Sequence, residues 1–154
     1  MLKSFVVVLM TVCCINVKAQ TSGGDHDTIR TVAGTLQISK IARPGSDDVT
    51  FNVELDGKQF DHLYGSRYVY YPDSKEQDKA VSRLIVEDFS GGFSDPPVIS
   101  LYDFRQKPAA VLPVSDKLDI DDVRWLPGRV LLSVGGKWFA FANGKLVAVH
   151  NRRK

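Results

Sequence analysis

The side chains most suited to nucleophilic chemistry do not fall into a recognisable catalytic pattern. The sequence contains three histidines, and two of them, His26 and His150, lie near the ends of the expected domain. His62 could form a hydrolytic triad with Ser66 or Ser90 and an aspartate only if the fold happened to bring the three groups together. The histidines therefore predict no triad.

Paired carboxylates are a second way to carry out hydrolytic chemistry, and the sequence places Glu87 next to Asp88. Adjacent residues of a β-strand point to opposite faces of the sheet, so these two groups make a poor acid–base pair. The sequence also contains none of the short motifs of serine hydrolases, zinc proteases, P-loop proteins or dinucleotide-binding proteins. We therefore expect a protein that is not an enzyme and uses no cofactor.

An acidic stretch over residues 115–122 offers oxygen ligands for a calcium ion. Its aspartates are Asp116, Asp119, Asp121 and Asp122. The stretch lacks the glycine and the bidentate glutamate of an EF-hand loop. We interpret it as a solvated acidic connection and assign no metal site, with calcium binding left as an open alternative.

The first 19 residues have the pattern of a secretory signal peptide. Lys3 supplies a positive start, an apolar run covers residues 5–15, and residues 17–19 fit a small-residue cleavage site. The run is shorter than the roughly 20 residues that a membrane span needs. A lipoprotein is disfavoured because Cys13 follows Val12 rather than a small residue. We expect export to the periplasm, cleavage near Ala19 and no membrane insertion.

Loss of this segment changes the chemistry of the mature chain. Both cysteines, Cys13 and Cys14, lie within it, so the mature protein is expected to have no disulfide and no thiolate. Loss of Lys3 and Lys18 leaves 18 of the 20 basic residues, which equals the 18 acidic residues. A neutral protein is a poor partner for nucleic acid or for an anionic membrane, so neither is expected here.

The remaining sequence has the patterns of β-strands and tight turns. Residues 35–41 and 49–55 alternate between apolar and polar, and Asp56-Gly57 is a hairpin pair. Two more hairpin pairs, Gly135-Gly136 and Asn143-Gly144, divide the last strands. The predicted fold class is all-β, an antiparallel meander of about 8–10 short strands arranged as a sandwich, a distorted barrel or propeller-like sheets.

The same patterns divide the chain into segments. Residues 20–30 are polar and contain glycine, which predicts a disordered N-terminal segment. Residues 31–150 are expected to form a single all-β domain. Within it, residues 83–114 and 122–149 share a rhythm of strand, turn and strand that slightly favours blade-like sheets. The basic residues 151–154 are interpreted as a frayed tail.

The loop that follows residues 83–89 is the first candidate for a binding site. Apolar runs over 84–86 and 98–101 predict two strands, and the connection between them is too long for a tight hairpin. Its glycines permit unusual backbone geometry and Pro96-Pro97 stiffens its exit, so we expect the loop to protrude and keep one shape. Its candidate partner-binding residues are Phe89, Ser90, Gly91, Gly92, Phe93, Ser94 and Asp95.

The segment from His62 to Tyr71 is a second candidate. It contains four tyrosines, an aromatic density typical of interfaces. A simpler interpretation is an edge strand whose tyrosine rings pack on one face and whose hydroxyls stay solvated. The secondary candidate partner-binding residues are Ser66, Arg67, Tyr68 and Tyr70.

The central loop and its flanking strands resemble those of one group of proteins. Glu87-Asp88-Phe89 ends the first strand, a Ser-Gly loop follows, and Ser100-Leu101-Tyr102-Asp103 ends the second strand. This order is similar to that of periplasmic immunity proteins that neutralise type VI secretion peptidoglycan amidases. The resemblance implies that the loop enters the cleft of a Cys-His hydrolase, where a serine hydroxyl meets the catalytic histidine.

The match to that group is uneven along the loop. Phe89, Ser90 and Gly91 fit the pattern best, whereas Gly92-Phe93 stands where the group has small polar residues. Pro96-Pro97 is a local insertion, and members of the group often carry cysteines that the mature chain is expected to lack. Both Ser90 and Ser94 therefore remain candidates for the serine that contacts the enzyme.

A second resemblance concerns the tyrosine-rich segment. Gly65-Ser66-Arg67-Tyr68 is similar to the Ser-Gly-x-x-Tyr type of signature of periplasmic lysozyme inhibitors, which also insert a loop into a wall-cleaving enzyme. Both resemblances imply an exported inhibitor whose partner is a secreted cell-wall hydrolase, either an amidase or a lysozyme-like enzyme. The alternative is a non-inhibitory module that binds glycan or an envelope protein through residues 64–71.

Overall fold

A computed structural model describes residues 20–22, 25–42, 45, 48–74, 76, 79–90, 92 and 94–149. In these ranges the chain forms thirteen β-strands, and it contains no helix long and apolar enough to cross a membrane. The predicted signal peptide and the basic tail 151–154 lie outside the described residues. The strands are β1 (Gln20–Ser22), β2 (His26–Thr31), β3 (Gly34–Ala42), β4 (Val49–Leu55), β5 (Lys58–Leu63), β6 (Arg67–Pro72), β7 (Arg83–Phe89), β8 (Val98–Asp103), β9 (Ala110–Ser115), β10 (Asp122–Leu126), β11 (Arg129–Val134), β12 (Lys137–Ala142) and β13 (Lys145–Ala148).

The strands form three antiparallel sheets in chain order. The first sheet contains β2 to β5, the middle sheet contains β6 to β9 with β1 paired to β6, and the third sheet contains β10 to β13. In each sheet from β2 onward, every strand pairs with its neighbours in sequence, which confirms the predicted all-β antiparallel meander. The described strands form open sheets and do not close into a barrel.

Tight hairpins connect several of these strands, as the turn pairs predict. Both residues of Asp56-Gly57, of Gly135-Gly136 and of Asn143-Gly144 have positive φ, between 50° and 76°. Two consecutive left-handed residues produce the hairpin twist that suits paired strands, and Gly, Asn and Asp adopt this geometry most readily. Local sequence therefore accounts for these turns.

Two hydrophobic cores hold the three sheets together. The first core lies between the first and middle sheets and includes Leu36, Val53 and Leu84. The second lies between the middle and third sheets and includes Ile85 and Leu132. The middle sheet is thus covered on both faces, which explains why β7 contains a continuous apolar run rather than an alternating one.

The connections between antiparallel strands fall at two opposite ends of the stack. The β5–β6 connection (64–66) and the β7–β8 connection (90–97) lie at one end, called here the front end. The β6–β7 connection (73–82) and the β8–β9 connection (104–109) lie at the other, the rear end. The predicted binding loops therefore share one end of the middle sheet.

Two details of the predicted organisation are corrected by the structure. The described residues form thirteen strands instead of about 8–10. Residues 20–22 and 26–30, predicted to be disordered, belong to β1 and β2. The segment HDTIRT has only one strongly apolar residue, Ile29, so its composition looks like that of a loop. It is ordered because β2 pairs with β3 over six residues and buries Ile29 in the first core.

Candidate partner-binding site

The carboxylate of Asp88 joins the two candidate loops at the front end. Its Oδ2 accepts a hydrogen bond from the backbone N–H of Tyr64 and its Oδ1 accepts one from the N–H of Gly65, both at 2.8 Å. Asp88 is 7% exposed, and burial raises its pKa above the ordinary value although the two N–H donors act in the opposite direction. The β5–β6 connection is therefore tied to the last residues of β7, just before the central loop.

Gly65 makes this close approach possible. The residue is buried, and a Cβ at this position would lie 2.3 Å from Oδ1 of Asp88 and 2.4 Å from the carbonyl oxygen of Phe89. Distances this short are incompatible with any side chain unless the backbone moves. The contact between the two connections thus depends on a glycine at position 65.

A second contact between the candidate loops lies on the surface. Arg67 and Phe89 are opposite one another in the β6–β7 pair, and the guanidinium carbon of Arg67 lies 3.6 Å from the centre of the Phe89 ring. Arg67 is exposed and Phe89 is half-buried. Arg67 from one predicted set and Phe89 from the other therefore contact one another. The residues of both sets that are not buried are called here the front surface: Ser66, Arg67, Phe89, Ser90, Gly92, Ser94 and Asp95.

The contact between Arg67 and Phe89 should contribute modestly to stability. We expect Arg67→Ala to lower the free energy of unfolding by about 0.5–1 kcal/mol, the usual size of a cation–π interaction at an exposed site. Urea denaturation measures the change. Arg30→Ala is the matched control, because Arg30 is exposed and contacts no aromatic ring in the described part of the chain. Equal losses in both variants would contradict a specific contribution from the ring contact.

The central loop is held in shape by its own hydrogen bonds. The N–H of Gly92 donates to Oδ2 of Asp95, and the N–H of Asp95 donates to the carbonyl oxygen of Gly92, both at 3.1 Å. Pro97 is buried, whereas Ser90 and Ser94 are exposed. The loop is thus anchored at its exit and presents both candidate serines to solvent. The other two predicted site residues, Gly91 and Phe93, lie outside the described residues.

The sequence predicts that the tyrosines of β6 are accessible to a partner or to solvent, but the structure buries them fully or in part. Tyr68 has no exposed surface, donates a hydrogen bond to Asp27, and packs edge-on against Phe51 with ring centres 4.7 Å apart. Tyr70 is half-buried and stacks on Tyr68 at 6.3 Å. Tyr71 is 4% exposed and lies in the second core. Tyr68 is therefore a core residue, and the interpretation of a strand with solvated tyrosine hydroxyls is wrong for it.

The two predicted sets of partner-binding residues leave out two residues of the front end, Tyr64 and Asp88. Tyr64 is 72% exposed and its ring contacts that of His62, with centres 4.6 Å apart, so it is the tyrosine of this segment that faces solvent. The sequence indicates Asp88 as half of a carboxylate pair and as part of the strand before the central loop, but not as a residue that joins the two loops. The position of Tyr64 just before Gly65, beyond the end of β5, is the signal that could have identified it as a loop residue.

Glu87, the residue before Asp88, points into the second core. It is 2% exposed; its Oε2 accepts a hydrogen bond from the hydroxyl of Tyr71 at 2.9 Å and its Oε1 accepts one from the N–H of Ile120 at 3.2 Å. Burial raises the pKa of Glu87 from 4.5 to about 7, against the effect of these two donors. The carboxyl group thus ties the β9–β10 connection to the middle sheet.

The structure also shows the surroundings of the acidic stretch, an alternative calcium site, and of His62, an alternative catalytic residue. Oδ2 of Asp121 accepts a hydrogen bond from the N–H of Gly135 at 2.6 Å, and Oδ1 of Asp122 accepts one from the N–H of Val123 at 2.9 Å. Among the described residues, no group of three or more His, Cys, Asp or Glu side chains is placed to hold a metal ion. In the described part of the chain, no hydrogen bond joins His62 to Ser66 or Ser90, the two serines of the possible triad.

Comparisons with protein-family models, with curated proteins and with solved structures gave no match to this chain. The structure itself defines an all-β protein of three stacked meander sheets. Asp88 joins its β5–β6 connection to the end of β7, just before the central loop.

Proposed function

We propose that this protein is an exported inhibitor, an immunity protein of the periplasm, that binds a secreted peptidoglycan amidase and occludes its active-site cleft with the β7–β8 loop. The observation that carries the proposal is the joining of the two candidate loops through Asp88 and through the Arg67–Phe89 contact. Two segments that the sequence predicts as separate binding sites thus contact one another. In this proposal the protein is not itself an enzyme.

The front surface has the physical properties that an inhibitor of a narrow cleft needs. Loop residues that are ordered before binding lose little conformational freedom, and in this loop two hydrogen bonds join Gly92 to Asp95 and Pro97 is buried. Phe89, together with the exposed Tyr64 of the adjoining β5–β6 connection, offers aromatic surface of the kind that dominates binding energy at interfaces. The neutral charge expected of the mature chain leaves specificity to local complementarity instead of long-range steering.

The exposed serines connect this surface to the proposed mechanism. The resemblance to amidase-inhibiting immunity proteins implies that a serine hydroxyl reaches the catalytic histidine of the target. Ser90 directly follows β7 and Ser94 lies in the turn closed by residues 92 and 95, and both are exposed. Ser90 is our first choice because it lies beside Phe89, at the point where the two loops meet.

The geometry gives less support to the alternatives. An inhibitor of lysozyme that used residues 65–68 could present only Ser66 and Arg67, because Gly65 and Tyr68 are buried. A glycan-binding module that used the tyrosine strand would have only Tyr64 as a fully exposed ring, since Tyr68 and Tyr71 lie in the two cores. Inhibition through the central loop is therefore the function that the site supports best.

A bulky charged residue at position 90 should prevent entry into the cleft. We expect Ser90→Arg to weaken inhibition of the target amidase by at least about tenfold, a typical loss when a central interface residue is disrupted. Purified protein is titrated against secreted peptidoglycan amidases and lysozymes, beginning with any hydrolase encoded beside its gene. Hydrolysis of purified cell wall gives the inhibition constants.

Thr35→Arg is the matched control for this experiment. Thr35 is exposed and follows the β2–β3 turn, whose Val32 N–H bonds to Val81 at the rear end, far from the central loop. Inhibition should be unchanged in this variant. Equal loss in both variants would contradict a role for the loop. Inhibition of a lysozyme but not of an amidase would favour the second inhibitor class, and binding to cell wall without inhibition would favour the binding module.

A further inference from the structure

The outer face of the third sheet is apolar, although in the described part of the chain no other layer covers it. Val123, Val130 and Phe141 face the second core. Alternate residues of a strand point to opposite faces, and residues opposite one another in an antiparallel pair share a face. The register of β10 to β13 therefore places the neighbours of these core residues on the outer face. The apolar ones are Leu126, Leu131, Trp138, Ala140, Ala142 and Val147.

The outer face of the first sheet, which is also the free side of a four-stranded meander, has a different composition. Most of its residues are polar, among them Gln37, Asn52 and Glu54. A polar face is the usual one where a sheet meets water. On the third sheet, by contrast, Val147 is 61% exposed, and Val149, which continues the pairing of β13 with β12, is 41% exposed. Exposed apolar residues that cluster on one face mark a surface that contacts something else.

Basic side chains accompany these apolar residues on the outer face. Arg129 and Lys145 are exposed and lie at the end of the face where the β10–β11 and β12–β13 hairpins turn. Arg124 reaches across the face, because its guanidinium carbon lies 4.3 Å from the ring centre of Trp138, two strands away. Its Nε lies 3.7 Å from Oδ2 of Asp122, the one acidic residue at the outward positions of β10 to β13. The face therefore carries three basic side chains and one acidic side chain.

The charge of the whole segment has the same sign. Residues 115–154 contain eight basic and four acidic side chains, whereas residues 20–114 contain ten basic and fourteen acidic ones. The neutral total expected of the mature chain, on which the expectation against an anionic membrane rests, thus hides an uneven distribution. An anionic partner is the complement of the third sheet. A second copy of this chain is not, because it would bring the same positive face.

The area of the outer face distinguishes between kinds of anionic partner. Four strands of about five residues, spaced about 4.8 Å apart with about 3.4 Å per residue, cover roughly 330 Å². A stable protein interface takes about 800 Å² from each partner, so an acidic protein would find too little surface here. A lipid bilayer has no such minimum, because each basic residue near an anionic surface contributes separately and apolar side chains add to the binding.

We propose that the outer face of the third sheet docks this protein onto the surface of an anionic lipid membrane. In this arrangement Val147 and Trp138 lie at the level of the headgroups, where aromatic and aliphatic side chains are favoured. Arg129 and Lys145 lie against the lipid phosphates, and the chain does not span the bilayer. The front surface lies at the strand ends of the middle sheet, at right angles to the docking face, so it stays open to an enzyme. The proposal does not depend on the inhibitor function.

Sedimentation with lipid vesicles tests this proposal. The chain of residues 20–154 is used, because it contains all thirteen strands and both cores, whereas the apolar run 5–15 would bind lipid by itself. We expect binding to vesicles of phosphatidylglycerol and phosphatidylcholine, and at least about tenfold weaker binding to vesicles of phosphatidylcholine alone. Tryptophan emission should shift to shorter wavelength on binding, and Trp138→Phe should remove most of this shift.

Lys145→Gln should weaken binding to the anionic vesicles about fivefold, the contribution of one basic residue near an anionic surface. Lys58→Gln is the matched control and should have no effect. Both lysines are exposed and begin an edge strand directly after a hairpin turn, but Lys58 belongs to the first sheet. Val147→Glu, at an exposed position that should tolerate it, adds an anion to the apolar face and should weaken binding at least about tenfold.

Several results would overturn the proposal. The folded wild type might fail to bind anionic vesicles, bind neutral ones equally well, or lose as much affinity through Lys58→Gln as through Lys145→Gln. Binding to polyglutamate without binding to vesicles would indicate an acidic protein partner instead. A dimer in gel filtration that Val147→Glu dissociates would indicate that a second copy covers the face.

Discussion

Gly65→Ala is expected to destabilise the protein by about 3 kcal/mol, because the added methyl group has no space and the contacts beside it must break. Its Cβ would lie 2.3 Å from Oδ1 of Asp88 and 2.4 Å from the carbonyl carbon and oxygen of Phe89. Relief of this overlap requires the β5–β6 connection to move away from β7. That movement removes the two N–H donors that compensate for burial of the Asp88 carboxylate.

The substitution should affect function as well as stability. If the two connections separate, the front surface is no longer continuous, so inhibition should fall even at temperatures where the variant is still folded. Urea denaturation gives the free energy of unfolding, and the amidase assay described above gives the inhibition constant. A loss of stability without a loss of inhibition would show that the joined loops matter only for folding.

Gly92→Ala is the matched control for Gly65→Ala. Gly92 lies in the central loop, is exposed, and has no atom within 4 Å of the position that a Cβ would occupy. Its free energy of unfolding should therefore stay within about 0.5 kcal/mol of the wild type. If Gly65→Ala were as mild as this control, the close packing of Gly65 against Asp88 and Phe89 would be contradicted.

Glu87 should make the protein less stable as the pH rises from 4.5 to about 7. Burial raises the pKa of Glu87 from 4.5 to about 7, so the folded state holds this proton more tightly than the unfolded state does. The stabilising contribution is therefore complete below pH 4.5 and is lost as the pH rises through 7. The difference in pKa corresponds to about 3 kcal/mol in the free energy of unfolding.

The surroundings of Glu87 explain this behaviour. The hydroxyl of Tyr71 and the N–H of Ile120 donate to the carboxyl group and favour its ionised form, and the charge of Arg67 acts in the same direction. The charge of Asp119 opposes ionisation. Desolvation in the second core outweighs the favourable contacts, because the carboxylate faces no cation as a direct ion-pair partner in the described part of the chain.

Glu87→Gln tests this prediction, since glutamine has nearly the same shape and cannot ionise. Urea denaturation is measured from pH 4.5 to pH 8.5 for both proteins. We expect the variant to lose most of the decline in stability that the wild type shows between pH 4.5 and about 7. Part of the decline should remain, because burial also raises the pKa of Asp88. Glu76→Gln at an exposed position is the control, and parallel curves for wild type and Glu87→Gln would contradict the prediction.

Local sequence was sufficient to predict the fold class, several turns and the position of the central loop. Alternation of apolar and polar residues indicates a strand wherever one sheet face is solvated, as in residues 49–55. Pairs such as Asn143-Gly144 adopt left-handed geometry whatever their surroundings, so the hairpins were predictable too. These features depend on interactions between near neighbours in the chain, which a sequence displays directly.

The alternation of apolar and polar residues could not predict which tyrosines of β6 are buried. Alternation fails to separate inside from outside when both faces of a sheet are covered, and the middle sheet is such a sheet. Tyr68 faces the first core and Tyr71 faces the second, so neither is a surface residue. An aromatic strand in the middle of a stack therefore has the same composition as an aromatic binding strand at its edge.

Contacts between distant parts of the chain determine the ordering of β2 and the meeting of the two candidate loops. β2 is ordered by its pairing with β3, which supplies the hydrogen bonds and the burial that its polar composition does not suggest. The front surface exists because Asp88 binds the N–H of Gly65, 23 residues earlier in the chain. Periodicity indicates that a segment is a strand but does not identify its neighbours. The meeting of the two loops follows from the pairing of β6 with β7, which places Arg67 opposite Phe89.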